Sequence, residues 1–416
     1  MSNVNFPVVV LADPPGQGKS KYTPALISLA VLYFMLGFIT CLNDTLVPFF
    51  KIKFKLNYAE SSLVQFYFFL TYGIISIPAG RIIERVGYQS GMIWGFLITA
   101  AGALLFFPAA IFHEYYLFLA ALLFLAAGIV FMQVSANPYI VTLGSPSTAS
   151  ARLNMIQSVG SVGTIVAPLF GAAVIMPGIQ TAGSNDRIAM PYLGIAVTML
   201  VISMVVVRLK LPKISRVEES NDSSSQKKNV FAFRNLRLGA IGIFFFVGIE
   251  IAVASFLTNY IADTLHIKDA DANFYVAFYW GFMLLGRIIG VLLLKCIRPT
   301  TMLVANALIA MTLIMFSINT TGYVAVWTLL GVGLFNSVMF AIIFTLAVSG
   351  LGSYITKGSA ILSTAICGGA VIVVLQGLLI DRSSWSTAFL IPMICYLYII
   401  FYGLNGYKSK NSEYVR

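Results

Sequence analysis

Residues 213–237 read KISRVEESNDSSSQKKNVFAFRNLR, a polar, Ser-rich stretch with six Lys/Arg. Nothing else in the chain resembles it. On both sides the sequence is dominated by apolar runs of about 20 residues, the length a helix needs to cross a bilayer. Six precede the stretch, at 24–50, 61–83, 89–111, 117–143, 151–176 and 190–209. Six follow it, at 238–262, 274–295, 302–318, 323–348, 357–380 and 385–405. The composition agrees: of 416 residues 59% are hydrophobic and 10% charged, with mean hydropathy +0.90. A soluble chain carries roughly 25% charged residues. There is too little polar surface here to coat a water-facing globule, so the solvent is lipid.

The expected fold is therefore an all-α integral membrane protein of twelve transmembrane helices in two six-helix bundles. The divisions are a tail at 1–23, a bundle at 24–212, the linker at 213–237, a bundle at 238–405 and a tail at 406–416. Six spans, a slack connection and six more spans suit halves that rock about a central site.

Orientation follows the Lys/Arg bias of the loops. An even span count puts both termini on one side, and alternate loops then place 20 of the 26 Lys/Arg on that side. Lys51, Lys53 and Lys55 oppose the rule without reversing it. The expectation is a multi-pass protein of a bacterial inner membrane with both termini cytoplasmic. The net charge of +11 fits that bias and anionic lipid headgroups better than nucleic acid. The stretch Phe6–Ala12 is too short for a cleavable signal. Cys41, Cys296, Cys367 and Cys395 form no metal-ligand spacing, so no metal site is expected.

Ionisable groups within hydrocarbon are costly, about 2.5–3.5 kcal/mol on insertion scales, and mark functional sites. Thirteen of the fifteen Asp and Glu fall in loops, tails or helix ends. Glu250 in FFFVGIEIAVASF lies near mid-bilayer. Asp44 in GFITCLNDTLVP is displaced toward the outer side, with Asn43 beside it. Opposite charge within the spans is scarce, which argues against a plain internal salt bridge. Amides add to the set. Gln133 and Asn137 lie deep in span four, in VFMQVSANPY, where Pro138 is expected to break the helix. Gln157 lies in span five and Asn336 mid-span in ten, in GLFNSVMF. Taken singly, each amide suits interhelical packing. Together they suit a ligand with several hydroxyls. Gly160, Gly163 and Gly171 in span five, and Gly286 with Gly290 in span eight, are read as permitting close helix approach.

GRIIERVG after span two, with Gly80, Glu84, Arg85 and Gly87, is similar to the signature of the major facilitator superfamily. FITCLNDTLVP, QVSANPY, GLFNSVMF and IFTLAVSGLG resemble the fucose–proton symporter family, and the likeness runs along nearly the whole chain. VGIE at Glu250, FNSVMF and Gln133 favour its glucose/galactose transporter branch.

The resemblance implies that spans one, four, seven and ten line a central cavity, with Asp44, Gln133, Glu250 and Asn336 on one span each. It implies sugar and cation handling at Asp44 and Gln157. Gln133 replaces a glutamate of the fucose proteins and cannot titrate, and Gly160 replaces an asparagine; both count against L-fucose. Ala341 replaces the usual proline after FNSVMF.

The reading is thus symport of a neutral hexose, glucose or galactose, with Asp44 and Glu250 in cation coupling and Asn43, Gln133, Asn137, Gln157 and Asn336 in sugar binding. The driving ion is H⁺, with Na⁺ the alternative, and no cofactor is expected. Other cargoes of the same fold are L-fucose or N-acetylglucosamine, or transport is uniport. A membrane-embedded enzyme lacks support: the two histidines, His113 and His266, lie far apart, and no cluster of catalytic groups appears. A sensor lacks an appended domain. The partners are the sugar and lipid, with no nucleic acid, and the chain is taken as a monomer.

Overall fold

The computed structural model describes residues 23–53, 58–112, 114–170, 186–209, 211–212 and 229–408. Every backbone N–H and C=O within a bilayer needs an internal partner, and a helix supplies one from its own segment. The first half forms α1 (Thr23–Lys53), α2 (Tyr58–Val86), α3 (Tyr88–Phe112), α4 (Tyr115–Thr142), α5 (Ala149–Phe170) and α6 (Asp186–Arg208). The second forms α7 (Arg234–Leu265), α8 (Asp269–Leu293) and α9 (Pro299–Asn319). Three broken spans follow. They are α10 (Gly322–Asn336) with α11 (Met339–Val348), α12 (Ile355–Thr364) with α13 (Gly368–Arg382), and α14 (Trp385–Ala388) with α15 (Leu390–Phe401).

Among the described residues, eleven spans are long and apolar enough to cross a membrane. The 22-residue α5 is the twelfth, its described part ending at Phe170. The shortest expected run, 302–318, is the 21-residue α9. Helix α7 begins at Arg234, inside the stretch read as linker, and residues 213–228 lie outside the described residues. Pro138 does not break α4, which continues to Thr142; neighbouring helices and local adjustments satisfy the groups a membrane proline frees.

Two compact units emerge. One comprises Gly18–Tyr139 with Val159–Pro212; the other joins Ile140–Ser158 to the chain from Lys213 onward. The end of α4 and the first turns of α5 thus pack with the second-half helices. In the first unit α3 lies along α6, and in the second α7 is central, touching α8, α11, α13 and α15.

Apolar helices gain little hydrophobic drive to associate in lipid, so contact depends on close packing of small residues. A Cβ at Gly37 would collide with the Gly160 carbonyl oxygen, and one at Gly163 with the Phe34 carbonyl. Helices α1 and α5 therefore meet backbone to backbone, as read for Gly160 and Gly163. In span eight, a Cβ at Gly286 would strike the Leu334 carbonyl. Gly171 lies outside the described residues. Gly163→Val is expected to force α1 from α5 at a cost of about 1–3 kcal/mol, the usual range for overpacking. A lowered thermal midpoint in detergent checks this; an unchanged midpoint contradicts the packing.

Candidate functional site

The signature loop closes α2 onto α3. Gly87 has φ +87°, a left-handed conformation that glycine adopts without a Cβ clash, and its N–H donates to the Ile83 carbonyl at 2.8 Å. Gly80 is buried, Glu84 half-buried and Arg85 exposed. Two residues on, Gln89 Nε2 donates to the carbonyls of Val206 and Leu209, each at 2.8 Å. These carbonyls belong to the end of α6, so the loop ties α3 to α6.

In the first unit, Gln133 and Asn137 stand one turn apart on the same face of α4. Asn137 is 1% exposed and its Oδ1 accepts a hydrogen bond from the Tyr33 hydroxyl of α1. Gln133 is half-buried, and its buried Oε1 has no partner among the described residues. A buried polar atom in a membrane protein normally finds one. Of the two amides, Asn137 is committed to α1 while Gln133 retains an acceptor for something else. Asn43 and Asp44 belong to α1, but their side chains lie outside the described residues. A cavity lined by Ile39, Phe68, Leu122, Leu125 and Tyr192 also opens in this unit. Its walls are almost wholly apolar, and none of the predicted site residues among the described ones lines it.

The second unit brings Gln157, Glu250 and Asn336 into one neighbourhood. Glu250 sits at the middle of the 32-residue α7 and is partly exposed. Asn336 is fully buried at the end of α10. Its Oδ1 accepts from the Tyr396 hydroxyl of α15 at 2.6 Å, and its Nδ2 donates to the Tyr279 hydroxyl of α8 at 3.5 Å. Both tyrosines lie within electrostatic reach of Glu250. The amide therefore spans α8 and α15 beside the carboxylate.

Arg287 corrects the statement that opposite charge is scarce within the spans. It lies in FYVAFYWGFMLLGRIIGVLLL of α8, and its charge acts on Glu250. A count of basic residues by loop assigns it to the nearby cytoplasmic turn with Lys295 and Arg298, because hydropathy averages a single charge away. Its Nη1 donates to the Gln157 carbonyl at 2.9 Å and its Nε to the Ser337 carbonyl at 3.3 Å. Asn154 Nδ2 donates in turn to the Arg287 carbonyl at 2.8 Å.

Sequence reasoning missed Tyr33, Tyr279 and Tyr396 for a different reason. With 20 tyrosines and 32 phenylalanines in the chain, ring-bearing residues at the lipid boundary mask the few that fix amides. A carboxylate within electrostatic reach of a guanidinium, buried amides and hydroxyls, and helices broken beside them are polar features of the kind that mark functional sites within lipid.

The sequence profile of the Major Facilitator Superfamily matches residues 29–374. The chain belongs to the major facilitator superfamily. Within it, the chain is 45% identical over 398 residues to the glucose/galactose transporter of Brucella abortus, covering 94% of this chain and 96% of that one. It is 40% identical over 409 residues to the putative glucose/galactose transporter of Helicobacter pylori, covering 95% and 100%. Among solved structures it superposes on the Escherichia coli fucose:proton symporter FucP with TM-score 0.83 and 28% identity, covering 93% and 99%. These facilitator relatives are transporters, not enzymes, and they match 93–95% of the chain.

Proposed function

We propose that this chain is a secondary active transporter that imports a neutral hexose, glucose or galactose, by cation symport with alternating access. The observation that carries the reading is the set of polar groups lodged in the spans. Glu250 lies within electrostatic reach of Arg287 in the second unit, and Gln133 in the first offers a buried acceptor with no partner among the described residues. The relatives named above supply the cargo class.

A hexose hydroxyl both donates and accepts, so it satisfies an orphaned amide oxygen that an apolar solute leaves bare. Gln133 and Gln157 are assigned to the sugar, with Asn43 beside Asp44. Asn137 and Asn336 are assigned to holding the tyrosines that shape the site, a narrower role than direct sugar contact.

The coupling element must be a carboxylate, because a proton or Na⁺ neutralises it. Asp44 takes that role first and Glu250 second. One cation moving down ~100 mV releases about 2.3 kcal/mol, enough for roughly fortyfold accumulation of an uncharged sugar, since 1.4 kcal/mol is tenfold. H⁺ is the proposed ion, and the amide at Gln133, which cannot titrate, is the one feature that favours Na⁺. Both termini are assigned to the cytoplasm of a bacterial inner membrane, and the monomer is the transporting unit.

Uptake of labelled glucose into proteoliposomes, under a pH gradient and a Na⁺ gradient in turn, tests cargo and ion together. A panel of unlabelled galactose, L-fucose and N-acetylglucosamine as competitors orders the cargoes. Absence of uptake under both gradients refutes the proposal. Gln133→Leu is expected to raise the sugar KM about tenfold, the worth of a typical 1.4 kcal/mol hydrogen bond. Its thermal midpoint should hold or rise, because the substitution removes a buried oxygen that has no partner among the described residues. An unchanged KM would remove Gln133 from the sugar site.

A further inference from the structure

Span eleven is two helical rods joined by a tighter turn. Helix α12 ends at Thr364, Ala365–Cys367 form a 3₁₀ turn, and α13 starts at Gly368. Such a turn inside a long helix is a common hinge. Just past it the span is pinned to α7. A Cβ on Gly368 would collide with the Phe244 carbonyl, and one on Gly248 with the Ile372 side chain. Beyond Ile372 little anchors the rod. Of residues 373–382, Gln376 alone is buried, at 0% exposed. It lies one turn past Ile372, on the same face of α13. Neither its Oε1 nor its Nε2 has a partner among the described residues. The buried asparagines Asn137, Asn154, Asn235 and Asn336 each make at least one hydrogen bond. The one side chain that seats the far end of α13 is therefore a doubly bare amide. Past Arg382, only Ser383 and Ser384 join α13 to α14.

We propose that α13 swings about the Ala365–Cys367 turn during transport, and that Gln376 is the positioning residue that makes the seated rod easy to leave. This rests on the transport reading. An amide buried with both ends bare is costly, so it offsets part of the apolar contact that holds α13 in place. Seated and open rods then stay close enough in energy to interconvert. Opening lets water reach the amide, and water suits it because it both donates and accepts. Lipid does neither, so a swing that turned Gln376 into hydrocarbon would gain nothing. Gly368 against the Phe244 carbonyl is the fulcrum, and the 3₁₀ turn absorbs the bend.

The test compares glucose counterflow and thermal midpoint in wild type, Gln376→Met and Gln376→Asn. Methionine keeps the length of the side chain and removes both polar ends. Gln376→Met should raise the thermal midpoint by about 2–4 °C. It should also slow maximal counterflow about tenfold, the factor that matches a typical hydrogen-bond penalty, with the sugar KM unchanged. Gln376→Asn keeps the amide, so its counterflow should stay within about threefold of wild type. A second measurement reads the swing itself. Gln376→Cys is treated with N-ethylmaleimide in proteoliposomes, and labelling at position 376 is followed by peptide mass spectrometry. The rate should rise at least about fivefold during glucose exchange, when the open rod is repeatedly visited.

A merely structural amide predicts a lower midpoint in Gln376→Met, and that result overturns the inference. So does a raised midpoint with wild-type counterflow, which would make the bare amide a packing defect and nothing more. Equal labelling with and without glucose overturns the swing, whatever the methionine variant does. Wild type that exchanges no glucose refutes the transport reading instead; wild-type exchange with an unaffected Gln376→Met refutes this inference alone.

Discussion

Asp44→Asn is expected to abolish accumulation of sugar against its gradient while leaving counterflow in place. Position 44 lies in α1 within an otherwise apolar run, GFITCLNDTLVP, where a carboxylate is costly to keep. Asparagine matches it in size and keeps one carbonyl acceptor, but it cannot exchange a proton or supply a charge to Na⁺. Sugar contacts built on shape and amides should survive the change. The roughly fortyfold accumulation available from ~100 mV should therefore collapse to equilibrium, with the counterflow rate changed by less than about threefold. Gradient-driven uptake and counterflow measured on one preparation separate these outcomes. If Asp44→Asn still concentrates sugar, the coupling assignment at this position is wrong.

Asn336→Leu should be the most destabilising single substitution near the site. The side chain is fully buried, and both ends of its amide are occupied, by the Tyr396 hydroxyl at 2.6 Å and the Tyr279 hydroxyl at 3.5 Å. Leucine removes the partner of both hydroxyls without removing the hydroxyls. Each buried orphan costs about 1–3 kcal/mol, so the total is about 2–6 kcal/mol, a large fraction of what stabilises a protein. The expected result is a thermal midpoint lowered by several degrees or more. Adding Tyr279→Phe and Tyr396→Phe should recover most of the loss, because an apolar trio of similar shape leaves nothing unpaired. If Asn336→Leu instead leaves the midpoint unchanged and raises only the sugar KM, Asn336 contacts the sugar directly.

These two residues show how differently a site reads from sequence. Asp44 and Glu250 stand out because charge is rare in hydrocarbon, and rarity survives without coordinates. Gln133, Asn137 and Asn336 look alike in sequence, each an amide in an apolar run. The structure separates them by what the amide does. Asn137 accepts from Tyr33 and Asn336 links two tyrosines, while Gln133 keeps a buried oxygen with no partner among the described residues. Arg287 was open to discovery by the rule that singled out Glu250, since it too interrupts a long apolar run. Counting it with the basic residues of the adjacent turn concealed it.

The sequence by itself determined that the chain spans a membrane and that it does so about twelve times. Those features depend on transfer from water to lipid, which is local, roughly additive and set by runs of about 20 residues. The tertiary structure decided which polar groups meet. It set Arg287 within reach of Glu250, placed a fork of N–H donors on the Gln157 and Ser337 carbonyls, and packed Ile140–Ser158 with the second-half helices. Each of these depends on the rotation of a helix about its axis and on which neighbour faces it. Helices apolar on nearly every side carry little periodicity to specify that rotation, so the pairing is resolved by packing between segments far apart in the chain.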